Sequence, residues 1–433
     1  WRLAVPLMFG FVINAVQTWI NMFFVSRLGS DVIAALGVAD QVNFVIFTLG
    51  SGFCIGTGIV VARRVGQDRL TQASVVATQA FSFMAVYSSI LAVVLWFVLP
   101  YVLRSMQITG PVLVHAESYL LTLMFGFPAS LLIFQANASV RSTGNTVFPM
   151  IVLIAVAVTN IILDPILIYG MFGIPAMGIR GAAIATVIAE WIGIAISATS
   201  LFRGSQNLKL YGLTLRFDWS LIASIYKLGV PASMQGFSVS LGRVLLIALA
   251  NQFGTAAVAA YTIGARIDVL IFMPIWAAGI AIETMVSQNI GAGRTDRVKA
   301  FRMTVIRQLG GVILALAITV FFAAPVLASF FSDDPAVAPI AVTYLRIASF
   351  GYLFFVVGQT ATRSLSGAGH SMRSMMIISG VLFGVQLPLA YLLALGTSLQ
   401  VTGIFVAVTS SYLILAAVGT MAMRGDSWMM KRV

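Results

Sequence analysis

Leu3-Ala4-Val5-Pro6 returns 225 residues later as Leu228-Gly229-Val230-Pro231. The same ungapped shift carries Gly29 onto Gly254, Ala34 and Ala35 onto Ala259 and Ala260, and Gly66 onto Gly291. Further along it carries Tyr119 and Leu120 onto Tyr344 and Leu345, Gly144 onto Gly369, and Gly178 onto Gly403. A register that holds from end to end marks a duplicated unit. The period is far too long for a solenoid. The composition, 60% hydrophobic against 9% charged, leaves too few polar side chains to cover a surface facing water, so the surface must face lipid. Duplicated hydrophobic units are a common way of building membrane transporters.

A membrane-crossing helix needs roughly 20 mostly apolar residues. The first half offers six such stretches, at 3–26, 32–62, 73–99, 117–140, 147–169 and 181–202. The second offers six more, at 228–251, 256–287, 308–331, 338–362, 373–396 and 402–423. The chain therefore reads as an all-α integral membrane protein of 12 transmembrane helices. It divides into an N-lobe over 1–202, a polar inter-lobe linker over 203–227 and a C-lobe over 228–433. An even number of spans per half gives the two lobes the same orientation, as in parallel repeats, and a cleft between them is the natural substrate path.

Basic residues set the orientation. The termini and the connections 63–72, 141–146, 203–227, 288–307 and 363–373 carry nineteen Lys and Arg, Lys431 and Arg432 among them. The opposite connections carry only Arg27, Arg104 and Arg180. Such a bias places both termini in the cytoplasm of a multi-pass plasma (inner) membrane protein, with the acidic Asp333-Asp334-Pro335 turn facing outward. The linker stretch Leu208 to Phe217, with Trp219 and Leu221, reads as interfacial, lying on the inner leaflet.

Ionisable side chains inside spans are costly unless paired or hydrated, so each is a functional candidate. In the first half, Asp40, Asp164 and Glu190 lie in apolar surroundings together with Asn21, Asn160 and Thr186. The counterparts of Asn21, Asp40, Asn160 and Asp164 are Leu246, Ala265, Val385 and Leu389, so this cluster belongs to the first half alone. At ~1.5 Å per residue, Asn21, Asp40, Asp164 and Thr186 all fall roughly 7–12 Å below the outer boundary. Asn160 and Asp164 share a helix face, as do Thr186 and Glu190. Pro165 frees the carbonyl of Ile161 for a ligand or a hydrogen bond. Carboxylate, amide and hydroxyl oxygens together suit a proton relay or a hard monovalent cation; Asp164, Asn160 and Thr186 would hold Na+ if sodium is the coupling ion. An ionised Asp164 among apolar helices is disfavoured, and protonation or sodium binding each resolves that problem. In the second half, Arg243, Arg266, Asp268 and Glu283 either line a substrate cleft, as Glu190 could in the first, or neutralise one another.

Other chemistries find no support. His115 and His370 fall on opposite membrane faces, no phosphate-binding glycine loop is present, and no His or Cys cluster has metal-ligand spacing. Cys54, the only cysteine, reads as a buried thiol. The net charge of +12 does not form a basic stripe interleaved with aromatics, so nucleic acid is not a partner. The expectation is a non-enzymatic, monomeric transporter without a cofactor. Its partners are membrane lipid and small organic substrates, and its driving force is H+ or Na+.

The residues resemble the multidrug and toxic compound extrusion (MATE) family. The most specific stretch is Val286-Ser-Gln-Asn-Ile-Gly-Ala-Gly-Arg294, echoed by Val61-Ala-Arg-Arg-Val-Gly-Gln67. Arg141 to Thr146, Ser366 to His370 and Gly178 to Thr186 support it. The resemblance implies two six-helix lobes arranged as a V, and cation-coupled export of organic, often cationic or amphipathic, compounds. It makes Pro6 the first-span proline associated with bending, and Asn160, Asp164 and Thr186 the first-lobe cation site. One position departs: fifteen residues after that proline, where the family usually has an acid, stands Asn21. Asp40, at similar depth, is the substitute acid on our reading. The second-lobe glutamate of another branch is absent from Met234 to Val239, which places the chain nearer the branch with its coupling acids in the first lobe. A lipid-linked-precursor flippase shares the general architecture and is the alternative. It calls for a strongly cationic cleft, for which only Arg243, Arg266 and Arg346 are candidates.

Overall fold

Apolar runs this long bury their backbone polar groups most cheaply as helices, because lipid offers no partner for an open N–H or C=O. The computed structural model describes residues 1–106, 108–332 and 334–430. Asp333 of the outward turn and Lys431 and Arg432 of the terminus lie outside the described residues. The first helices are α1 (Ala4–Ser26), α2 (Ser30–Gly66), α3 (Leu70–Ser105), α4 (Gly110–Leu123), α5 (Phe127–Arg141), α6 (Val147–Tyr169) and α7 (Gly178–Phe202). They are followed by α8 (Trp219–Asn251), α9 (Thr255–Gly291), α10 (Thr295–Phe331) and α11 (Ala338–Gly367). The chain ends with α12 (Ser371–Val381), a π-helical turn over Leu382–Gln386, α13 (Leu387–Gly396) and α14 (Val401–Met421). Among the described residues, eleven helical segments are long and apolar enough to cross a membrane, and twelve if the bent pair α4 and α5 counts as one span.

The chain forms two compact units, Trp1–Gly229 and Val230–Val433, called here the first and second lobe. The duplication is visible in the helix ends: α2 and α9 both run 37 residues and begin and end 225 residues apart. The largest departure concerns the fourth span. In place of one helix over 117–140, α4 and α5 meet at an angle of 52° across Met124, Phe125 and Gly126. Pro128 stands in the first turn of α5, where its missing N–H removes no intrahelical bond, whereas inside a helix continuing from upstream it would remove one. The counterpart of Pro128 is Leu353, and α11 runs unbroken through it.

The seventh span also differs from expectation: α8 begins at Trp219, nine residues before the predicted 228. Asp218 supplies the start. Its Oδ1 accepts hydrogen bonds from the N–H groups of Ser220 (3.0 Å) and Leu221 (3.2 Å) and from the Ser220 hydroxyl (2.7 Å). These donors hold the Asp218 carboxyl below its usual range, the Ser220 hydroxyl contributing most. The first turns of α8 then pack on α2 so closely that a Cβ at Gly56 would collide with the carbonyl oxygen of Ile225.

Between α7 and α8 the linker runs extended along α3. The N–H groups of Lys209, Tyr211 and Thr214 donate to the hydroxyls of Ser74 (3.2 Å), Thr78 (3.2 Å) and Ser82 (3.1 Å), three acceptors one helical turn apart. Leu208 and Leu210 are buried, while Leu213, Leu215 and Trp219 are exposed. The segment is thus a two-faced strap, pinned on one side and apolar on the other. Thr78→Val, which keeps the shape but removes the acceptor, forfeits about 1 kcal/mol of local stability. Amide hydrogen exchange over 208–214 should accelerate several-fold in this variant. An unchanged rate would mean the strap is held by its leucines alone.

Candidate functional site

The first lobe brings the sequence-predicted polar residues to one place. On α1, Gln17 and Asn21 are one turn apart; on α6, so are Asn160 and Asp164, and the two helices pair them side by side. Asn21 Nδ2 donates to Asp164 Oδ2 at 3.2 Å, and Gln17 Nε2 donates to Asn160 Oδ1 at 3.1 Å. Asn160 Nδ2 lies 3.2 Å from Thr186 Oγ1 and 3.4 Å from Asp164 Oδ1. Turning the Asn160 amide over exchanges its roles without separating the groups. Its nitrogen then donates to Asp164 Oδ2 at 3.3 Å and its oxygen accepts from Thr186 at 3.2 Å.

Local packing explains the convergence. A Cβ at Gly181 would collide with the carbonyl oxygen of Leu167, so glycine lets the start of α7 lie against α6 and delivers Thr186 to Asn160. The Tyr169 hydroxyl donates to the Phe24 carbonyl at 2.6 Å, tying the ends of α6 and α1. Asp164 is completely buried, and its hydrogen-bond donors are the neutral amides of Asn21 and Asn160.

Beside this network lies a cavity of about 250 Å³, lined by Gln17, Asn21, Asp40, Tyr119, Asn160 and Thr186 among others. Asp40 reaches it from α2 and Tyr119 from α4. Tyr119 stands within electrostatic range of Asp40, Asp164 and Glu190 together. Sequence reasoning missed Gln17 and Tyr119. Gln17 could have been found as the residue one turn before Asn21, whereas Tyr119 carries no signal until α4 folds across the lobe.

Glu190 lies one turn beyond Thr186 on α7 and faces the α4–α5 break. A Cβ at Gly126 would come within 2.6 Å of Glu190 Oε2, and the Ser130 side chain lies beside the carboxylate. Next to it, Trp191 Nε1 donates to the Phe125 carbonyl at 3.0 Å. Pro6 sits in the first turn of α1, where a proline removes no intrahelical hydrogen bond.

The second-lobe candidates have partners of their own. Asp268 accepts hydrogen bonds from the hydroxyls of Tyr344 (2.5 Å) and Tyr352 (2.7 Å), with the charge of Arg243 acting on it through space. Glu283 pairs with Arg363 at 3.4 Å. Among the described residues, no group of three His, Cys, Asp or Glu side chains could hold a metal ion. Removing one donor from Asp268 leaves part of a buried carboxylate unsatisfied, at a cost of about 1–3 kcal/mol. Tyr352→Phe should therefore lower the thermal unfolding midpoint of the detergent-solubilised protein by several degrees. An unaltered midpoint would remove Asp268 from the interactions that stabilise this lobe.

Comparison with known proteins places this architecture. The MatE family profile matches residues 6–166 and 231–392, one copy in each half. "Probable multidrug resistance protein YoeA" of Bacillus subtilis is 28% identical over 417 residues, covering 95% of this chain and 89% of that protein. A "FAD transporter" of Shewanella oneidensis is 28% identical over 404 residues, covering 91% and 87%. Among solved structures, a MOP superfamily transporter from Pyrococcus furiosus superposes with a TM-score of 0.91 at 23% identity, covering 100% of this chain and 96% of that one. The bent form of the Vibrio cholerae MATE transporter VcmN gives 0.90 at 23%, covering 99% and 95%. With both halves matched and the fold shared throughout, the chain belongs to the MatE family of multidrug and toxic compound extrusion transporters.

Proposed function

We propose that the chain is a cation-coupled antiporter. On this reading it works as a monomer in the plasma membrane and exports organic cations or amphipathic compounds, driven by H+ or Na+, by alternate exposure to the two membrane faces. The observation that carries this reading is Asp164: a fully buried carboxylate, hydrogen-bonded by neutral amides, one of which, Asn21, lines the cavity beside it. A buried carboxylate with only neutral donors is a charge waiting for a counter-charge, and a proton or one sodium ion supplies it. Asn160 and Thr186 add the neutral oxygens that sodium coordination requires. Asn21, where the family usually has an acid, donates to Asp164 and contributes no negative charge of its own, which favours protons over sodium. Asp40, on the cavity wall, is the accessory acid. The names of relatives such as "Multidrug resistance protein PmpM" of Pseudomonas aeruginosa support organic export. The cavity lining holds one acid, Asp40, and no Lys or Arg, which suits cationic cargo better than the anionic headgroup of a lipid-linked precursor.

Reconstituted into proteoliposomes, wild type should accumulate a fluorescent organic cation when a proton or sodium gradient is imposed. Asp164→Asn should reduce that uptake to the level of empty vesicles while cargo binding in detergent persists. Asp40→Asn should weaken uptake, and Asn21→Asp should be tolerated with greater sodium dependence. Wild-type rates in Asp164→Asn would dismiss the first-lobe assignment and turn attention to Asp268 and Glu283.

The orientation with both termini cytoplasmic rests on the placement of Lys and Arg. In a Cys54→Ala background, Thr295→Cys should react with a membrane-impermeant thiol reagent only after the membrane is opened. Labelling of intact cells would invert the topology.

A further inference from the structure

The cavity of the first lobe has a way in for a coupling proton, but the proton must also leave. The seam between α5 and α7 carries polar groups that the cavity does not use. The two helices pack with a regular offset: Ser130 meets Glu190, and Ile133 meets Gly193, where a Cβ would stand 2.9 Å from Ile133 Cδ1. One turn further along each helix come Asn137 and Ser197. Both are buried, and neither Asn137 Oδ1 nor Ser197 Oγ has a hydrogen-bond partner. Orphaned polar atoms on two facing helices are costly in a dry interior and are natural sites for internal water. Beyond them, at the end of α7, Ser200, Ser205, Gln206 and Asn145 form a connected hydrogen-bond cluster. Asn145 Nδ2 donates to Gln206 Oε1 at 2.7 Å, Gln206 Nε2 donates to Ser200 Oγ at 3.0 Å, and the Ser200 and Ser205 hydroxyls lie 2.6 Å apart.

Thr186, Glu190, Ser197 and Ser200 therefore make a polar stripe down α7, at helical spacing, from the cavity to the opposite end of the lobe. A single apolar step interrupts it. Between Glu190 and Ser197, roughly 10 Å at 1.5 Å per residue, the side chains of Ile133 and Val156 cover Gly193. An antiporter needs such a plug, since an open wire would dissipate the gradient.

We propose that the α5–α7 seam is a gated proton exit from the first-lobe cavity to the cytoplasm, with Glu190 as its relay carboxylate and Ile133 with Val156 as its plug. The inference rests on the proton-coupled reading given above and on its topology. On the cavity side the Glu190 carboxylate takes a proton from hydronium, leaving water, and becomes the acid. When the plug opens, water entering the seam takes the proton from Glu190 as hydronium, and the Asn137 and Ser197 oxygens hold that water. Of the titratable groups near the cavity, Tyr119 stands within electrostatic range of Glu190, as it does of Asp40 and Asp164.

Proton flux into vesicles loaded with a pH-sensitive dye tests the path without any cargo. Wild type should be tight. Ile133→Ser should raise passive proton flux by at least about tenfold, equivalent to ~1.4 kcal/mol off the barrier, and adding Glu190→Gln should return it to the wild-type level. In parallel, Glu190→Gln alone, and separately Ser197→Ala, should slow proton-driven export while retaining cargo-for-cargo exchange, which needs no net proton passage. A tight Ile133→Ser protein, a leak that survives Glu190→Gln, or equal losses of export and exchange would each overturn the path. If wild type shows no proton-driven export, the antiport reading fails, and the leak measurements still decide whether the seam conducts.

Discussion

A carboxylate deep in an apolar helix bundle is the constraint around which the first lobe is built. Asp164 has no charged donor among its hydrogen bonds; two amides, from α1 and from its own helix, hold it. That arrangement orients the carboxylate without neutralising it by an ion pair. The helices that meet here do so through close backbone contacts, Gly181 against the Leu167 carbonyl above all, because oxygens on four helices converge only if their backbones approach. Cavity, network and α7 stripe are consequences of placing one ionisable group where lipid-facing helices cannot hydrate it.

The two halves began as copies, and their differences show what each has become. Tyr119 and Tyr344 occupy the same position in the repeat. In the first lobe the tyrosine lines a cavity near three carboxylates; in the second it locks Asp268 in place together with Tyr352. The counterpart of Tyr352 is Phe127, which has no hydroxyl to offer, and that of Asp268 is Asn43. The same scaffold thus holds an acid bonded by tyrosine hydroxyls in the second lobe and one bonded by amides in the first. Pro128 follows the same logic: its counterpart Leu353 leaves α11 straight, whereas the α4–α5 break exposes the Phe125 carbonyl to Trp191 and makes room for Glu190 at Gly126.

The strap over 207–218 shows how a polar segment can run beside a membrane helix. Its amides find acceptors in hydroxyls of α3, so the extended backbone does not need a sheet. Its exposed leucines and Trp219 then form an apolar edge suited to the interfacial zone of a bilayer.

Fold class was legible in the chain because hydrophobic length and the 225-residue repeat are one-dimensional signals, and lipid permits few ways of satisfying the backbone. Asn21, Asn160, Asp164 and Thr186 were legible for a related reason: polar residues are rare in such spans, and helical spacing assigns each a face and a depth. What the sequence could not settle depends on side-to-side packing. Nothing in the order of residues says that Gln17 would pair with Asn160, that Tyr119 would stand among three acids, or that Glu190 would turn from the cavity to the α4–α5 break. The span read over 117–140 runs straight across Pro128, and Pro100, Pro231 and Pro325 do sit inside continuous helices, so only the packed structure decides which proline ends a helix. Periodicity determines which face of a helix a residue occupies, and tertiary structure alone determines what that face meets.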